Sequence, residues 1–235
     1  MSDAIISVDE SLIQTDSSYS TSHSSKQGIR IHCKQSTSDI EVIYNGYSSN
    51  FWQKLPESNL QGDIISVSAG LSERRRFILK GIDLLFELAV RKPEIKITVV
   101  GSHKLPEGII KPANVTIVGN ASPELLRELY SGHTYYAQLS ISEGFPNAIC
   151  EAMLCECIPI GSNVAAMPKI IGKEGYLLHK RSIDDLENLI NLANKEWSMK
   201  SFSPRKRIME HFSIETRKER MLEFIRNLHS AGLKN

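Results

Sequence analysis

From about residue 62 onward, apolar and polar positions alternate in a regular way. IISVS (64–68) is a short run rich in β-branched residues and predicts a buried strand. KGIDLLFELAV (80–90) places Ile82, Leu85, Phe86 and Ala89 at helical spacing. KITVVG (96–101) and VTIVG (115–119) predict two more strands, each closed by glycine. SPELLRELYSG (122–132) predicts a helix with Ser122 as cap, Pro123 in the first position and Gly132 as stop. YYAQLS (135–140) reads as a strand, the FPNAICEAML region as a helix and CIPIG (157–161) as a strand. RSIDDLENLINLA (181–193) reads as a helix with Ser182 and Asp185 in capping-box spacing. FSIETRKERMLEFIRNLHS (212–230) predicts a last helix capped by Ser213, with an apolar stripe of Met221, Leu222, Ile225 and Leu228. Ahead of residue 62 the pattern is weaker. IISV (5–8), IRIHC (29–33) and EVIYNG (41–46) read as short strands, the last ending at the turn signal Asn45-Gly46. TDSSYSTSHSS (15–25) is too polar to join a core and reads as linker.

Strands that alternate with helices across short loops build βαβ units. The expected fold is therefore α/β: a Rossmann-like parallel sheet with helices on both faces. Such sheets bind ligands beyond the carboxyl ends of their strands, where the strand order reverses. That rule points to Gly70, Gly101, Gly119 and the SEGFPN turn (142–147).

Composition narrows the function without choosing it. The chain has 235 residues, 41% apolar and 23% charged, as in ordinary globular proteins. A formal net charge of +1 argues against a nucleic-acid partner. Of the four cysteines, Cys150, Cys155 and Cys157 lie in an apolar segment and read as core thiols. The CEC pair (155–157) has no second pair to complete a metal site, so no metal is expected. No apolar run reaches the roughly 18 residues of a membrane span, and a reducing cytoplasm is the expected setting.

The richest chemistry lies in SEGFPNAICEAM, which sets Glu143 in a Gly-Pro turn and Glu151 in the helix that follows. A helix opening near Asn147 presents unpaired N–H groups and the positive end of its dipole, which suits a diphosphate. Gly144 permits close backbone approach, and Pro146 fixes the path into the helix. A carboxylate one turn inside, Glu151, is repelled by phosphates but fits the paired hydroxyls of a ribose. Glu143 faces the other end of such a ligand, where a sugar lies. His103 and His133 read as polar loop residues, and Ser140 and Ser162 as packing residues with backbone hydrogen bonds. No G-x-G-x-x-G follows the first strand of the regular region, IISVSAGLSERR, which argues against a nicotinamide dehydrogenase.

Glu143 to Glu151 is an E-x7-E motif. As EGFPNAICEAM followed by IPIGSNVAAMPKIIG, it resembles the C-terminal domain of retaining glycosyltransferases of family 4, which have the GT-B fold. ISVSAGLSERRRFILKGIDLL, KITVVG, VTIVGNASPELLRELYSGHTYYAQLSISEGFP and EVIYNGYSSNFW are similar to the family's preceding segments, in the same order. The resemblance implies that Glu151 binds the ribose of a nucleotide-sugar and that Glu143 lies beside the donor sugar and the reacting centre. It implies that Lys80, the lysine of the KG pair, meets the diphosphate and stabilises the leaving group. Backbone around Gly144, Phe145, Pro146 and Asn147 then lines the donor site. No cofactor and no metal are implied; basic side chains and the helix end neutralise the diphosphate. The family's usual arginine in a GR pair is absent. Gly70 stands near its place in SAGL, and one of Arg74, Arg75 and Arg76, in the longer loop before Lys80, substitutes, with Arg76 as the candidate. Lys80 itself reads as a helix-start lysine, where a cation implies an anionic partner.

The resemblance also divides the chain. Residues 1–55 correspond to a remnant of the N-terminal GT-B domain plus the Ser-rich linker. Residues 56–200 form the nucleotide-sugar-binding domain, and residues 201–235 a C-terminal helical segment. The expected partners are a nucleotide-sugar donor, a glycan or lipid-linked acceptor, and an N-terminal GT-B domain on a separate chain. The expected location is cytoplasmic, free or peripheral at the inner face of the membrane, in polysaccharide assembly. A non-catalytic nucleotide-binding remnant and a split two-chain enzyme are the other readings.

Overall fold

A computed structural model describes residues 4–20, 26–33, 39–56, 62–196 and 199–232. The regular region folds into a six-stranded parallel sheet made of β5 (Gly62–Val67), β6 (Ile97–Val100), β7 (Val115–Val118), β8 (His133–Gln138), β9 (Ile158–Ser162) and β10 (Tyr176–Leu178). Their spatial order is β10-β9-β8-β5-β6-β7. The chain therefore starts at the middle of the sheet, walks to one edge, returns, and walks to the other. This is the doubly wound order, and its reversal lies between the adjacent strands β5 and β8. β-branched residues at Ile64, Ile65, Ile97, Val99 and Ile160 are almost fully buried, because both faces of the sheet are covered.

The helices are α2 (Arg74–Leu79), α3 (Ile82–Arg91), α4 (Pro123–Ser131), α5 (Asn147–Leu154), α6 (Met167–Ile171), α7 (Ile183–Glu196), α8 (Pro204–His211) and α9 (Ile214–Gly232). α3 packs with α7, while α4 and α8 pack with α5. Right-handed crossovers running in opposite directions from β5 and β8 put α3 and α5 on opposite faces. The predicted caps form. Ser122 Oγ accepts from Leu125 N (3.3 Å), Ser182 Oγ from Asp185 N (3.3 Å) and Ser213 Oγ from Thr216 N (3.1 Å). No described helix is long and apolar enough to cross a membrane.

Outside the sheet, β1 (Ala4–Ser7) pairs in parallel with β4 (Asp39–Val42), and β2 (Thr15–Asp16) pairs antiparallel with β3 (Lys26–Gln27). Arg205 of α8 fastens the connecting segment to the sheet domain. Its guanidinium donates to the carbonyls of Trp52 (2.6 Å), Leu154 (2.7 Å) and Ser49 (2.8 Å).

Four expectations are corrected. IRIHC is not a strand: Ile29–His32 forms one helical turn (α1), started by Gly28 at φ 116°. The polar tract does enter the core, because Tyr19 is buried and its backbone carbonyl accepts from Arg181 N (2.9 Å); residues 21–25 of that tract lie outside the described residues. Arg74, Arg75 and Arg76 are not in a loop but open α2. His133 is not a loop residue. It starts β8, buried, with Nδ1 at 2.6 Å from Leu129 O and Nε2 at 2.8 Å from Thr98 Oγ1.

Candidate functional site

The strand order reverses between β5 and β8, and Gly70, Lys80 and the Glu143 turn follow the carboxyl ends of those two strands. After β5 the chain turns at Gly70, whose φ of 73° favours glycine. A Cβ at Gly70 would lie 2.5 Å from Arg76 Nη1, so the guanidinium of Arg76 rests on the Gly70 backbone. These two donor-site candidates are thus in contact. Lys80 follows α2 as its C-cap rather than starting a helix. That corrects the reasoning applied to it: a cation is at home at a helix C-terminus, so its position alone implies no anion. Gly81, at φ 70°, then starts α3 against the end of β8, where a Cβ would meet Leu139 O at 2.2 Å.

Lys80 Nζ lies 2.5 Å from Glu143 Oε1, a partly buried ion pair. The same oxygen accepts from Ser140 Oγ (2.7 Å) and Gln138 Nε2 (3.0 Å). Gln138 Oε1 in turn accepts from the hydroxyl of Tyr136 (2.7 Å). Residues 136, 138 and 140 alternate onto one face, which stacks these polar groups beneath the Glu143 turn. Ser162 Oγ donates to Ser140 O (2.6 Å), in keeping with backbone hydrogen bonding rather than a nucleophile's role.

α5 begins as the sequence suggests, with Pro146 as N-cap and Asn147 as first helical residue. Asn147 is exposed, and its Oδ1 accepts from Tyr47 OH (2.7 Å) and Asn45 Nδ2 (3.0 Å). Phe145 is buried among Tyr44, Tyr47 and Phe212, with ring centroids 5.4–6.5 Å away. Its ring anchors the turn. Glu151 lies one turn deeper. Burial pushes its carboxyl up to about 7, and the neighbouring Tyr130 hydroxyl opposes that rise in part. The Tyr130 hydroxyl is itself buried and has no partner at hydrogen-bond geometry. Glu143 and Glu151 flank Tyr136, whose phenol is raised first by burial and then by both carboxylates.

The segment before residue 30 supplies a wall that the sequence did not foretell. Leu12 covers Gly144, its Cδ1 lying 3.3 Å from where a Cβ would stand. Ser11, Leu12, Thr15, Ser17 and Gly28 face Glu143 and Val164 across a recess of about 90 Å³. Tyr44 donates to Glu10 Oε1 (2.7 Å), and Lys169 pairs with Glu10 and donates to Tyr44 OH (2.7 Å), which ties the wall to α6. Burial would raise the Glu10 carboxyl, but these hydrogen bonds hold it at about 2.

The fold and site can be set beside known proteins. Sucrose-phosphate synthase from Thermosynechococcus elongatus superposes with a TM-score of 0.73 at 19% identity, covering 98% of this chain and 59% of that one. HepE from Anabaena, in complex with UDP and glucose, gives 0.69 at 16% identity, covering 96% and 63%. The C-terminal domain of LpcC, a glycosyl transferase group 1 family protein from Francisella tularensis, gives 0.58 at 17% identity, covering 72% and 100%. The chain thus spans about three fifths of the first two structures, and the six-stranded sheet matches the C-terminal Rossmann-like domain of GT-B glycosyltransferases. No curated protein matched by sequence. The family profile described as "Glycosyl transferases group 1" matches residues 69–210, more than half of the chain, including every candidate named above, and the chain belongs to that family.

Proposed function

We propose that this chain is the donor-binding half of a retaining glycosyltransferase of the family 4 type, which moves a glycosyl group from a nucleoside-diphosphate sugar to an acceptor hydroxyl. The observation that carries this reading is the convergence at the strand-order reversal: Lys80 on Glu143 and Arg76 on Gly70 at one side, the start of α5 between, and Glu151 beyond. Lys80, Arg76 and the N–H groups at the start of α5 would face the diphosphate and stabilise it as it leaves, without a metal. Glu151 would accept from the ribose hydroxyls. Glu143 would sit beside the sugar and its reacting carbon. The UDP-bound structures of HepE, a protein of the same fold, support a nucleotide ligand. A glycan or lipid-linked acceptor and a cytoplasmic setting in polysaccharide assembly complete the proposal.

A second reading is favoured by one observation. Among the described residues β1 and β4 make a two-stranded parallel sheet, whereas parallel sheets are ordinarily larger and covered on both faces. That fits a chain whose acceptor-binding domain is supplied by another polypeptide, with this one acting as the nucleotide-binding subunit.

Calorimetric titration with UDP, GDP and ADP tests the donor site. One nucleotide is expected to bind, and Glu151→Ala to weaken it by about 1.5–3 kcal/mol, the scale of a hydrogen bond to a charged group. Full affinity in the variant would remove Glu151 from the site. No binding of any of the three nucleotides by the unaltered chain would sink the donor-site reading.

A further inference from the structure

Gln138 is a buried amide that the proposed chemistry does not use, and it touches the one carboxylate that chemistry places beside the sugar. Its orientation follows from its partners. An ionised carboxylate only accepts, so the group facing Glu143 Oε1 at 3.0 Å is the NH₂. The amide oxygen is then left for Tyr136, whose hydroxyl donates at 2.7 Å. Tyr136 is fully buried, and burial with two nearby carboxylates keeps its phenol protonated and able to donate. The chain of contacts therefore has one direction: Tyr136 to Gln138, Gln138 to Glu143. Gln138 also donates to Ser140 Oγ (3.0 Å), and Ser140 donates to the same Glu143 oxygen (2.7 Å).

The third donor to that oxygen, Lys80, differs in kind. It is a cation on a flexible stem, and in the proposed reaction it serves the diphosphate. A ligand that draws Lys80 away leaves Gln138 and Ser140 as the groups that keep Glu143 charged and in place. Resting on the donor-site reading, we infer that Gln138, oriented by Tyr136, is a positioning residue that fixes the Glu143 carboxylate beside the donor sugar. It touches neither substrate nor reacting atom and acts through Glu143.

The test uses the full chain with carbon-13 in its glutamate carboxyls, the Glu143 signal being assigned by its loss in Glu143→Gln. Gln138→Met keeps the shape and removes the amide; Tyr136→Phe keeps the amide and removes its orienting donor. The carboxyl chemical shift of Glu143 in the free chain at neutral pH needs no ligand. Gln138→Met should displace it, since a hydrogen bond to the carboxylate is lost. Tyr136→Phe should displace it the same way by less. The double variant should match Gln138→Met alone, because Tyr136 acts only through the amide. An undisplaced signal in Gln138→Met, or additive displacements in the double variant, would overturn the inference. UDP and UDP-glucose provide the second readout. Gln138→Met should bind UDP as the unaltered chain does and lose about three- to tenfold of the additional affinity for UDP-glucose. Equal loss for both ligands would overturn the inference. Failure of the unaltered chain to bind either ligand would overturn the donor-site reading while the Glu143 carboxyl signal still decides the role of Gln138.

Discussion

Glu151 and His133 respond to pH in opposite directions. The folded-state midpoint of Glu151, about 7, is above its ordinary 4.5, so the folded chain holds a proton that the unfolded chain has released. Its contribution to stability is present below 4.5 and is lost as pH rises toward 7. Burial lowers the His133 midpoint, against the carbonyl of Leu129, which favours the proton. Its contribution is present above the ordinary 6.5 and is lost as pH falls below that value. The slopes partly cancel between pH 5 and 7. Glu151→Gln should expose the His133 slope, with urea-measured stability rising from pH 5 to 7 more steeply than in the unaltered chain. At pH 8 the variant should also be more stable by roughly 1–3 kcal/mol, because an ionised carboxylate no longer has to be buried. Lower stability of Glu151→Gln at pH 8 would show that the carboxylate is satisfied in the free chain.

Among the elements, α8 is the least conspicuous in sequence and among the most consequential. Arg205→Ala strips three carbonyls of a charged donor at the seam of α5, α8 and the 49–52 segment, at an expected cost of roughly 2–4 kcal/mol. Arg205→Lys should recover little of that, because an ammonium does not span the fork of a guanidinium. Thermal unfolding of both variants measures this. A similar limit governed what the sequence revealed. The strands and caps of residues 62–193 were legible because apolar periodicity and Ser/Pro/Gly punctuation agree there. The E-x7-E turn stood out because its residue types are unusual together. Ile29–His32 misled because five residues are too few to separate a strand from a helical turn. α2 was missed because three successive arginines mask its one buried side chain, Phe77. Tyr19 was hidden by its Ser-rich neighbours, and Gln138 by the apparent ordinariness of a polar residue in a strand. Both acquire meaning only from residues about 120 and 5 positions away in sequence, Leu139 and Glu143.

For the molecule as a whole, the chain spans about three fifths of the first two matched structures, and the donor-half reading proposed above assigns acceptor binding to a further domain. The exposed apolar residues Ile214, Leu222, Ile225 and Leu228 on α9, with Ile6 on β1, are surfaces left uncovered here. Adding a separately expressed acceptor-binding domain should therefore be necessary for glycosyl transfer but not for nucleotide binding, a separation that activity assays and calorimetry would read together. The free thiols provide a different view of the same molecule. Cys33 is exposed, whereas Cys150, Cys155 and Cys157 are buried around α5, the helix that carries Glu151. Burial suppresses their thiolates as well, raising Cys155 to about 12 against the pull of Arg205 and Arg127. A thiol reagent should therefore modify one site at once and the other three only when the fold opens, more slowly by a factor of roughly a thousand or more. Their lag becomes a clock for opening around α5, and a ligand that binds there would lengthen it by a factor of one plus the ratio of ligand concentration to Kd.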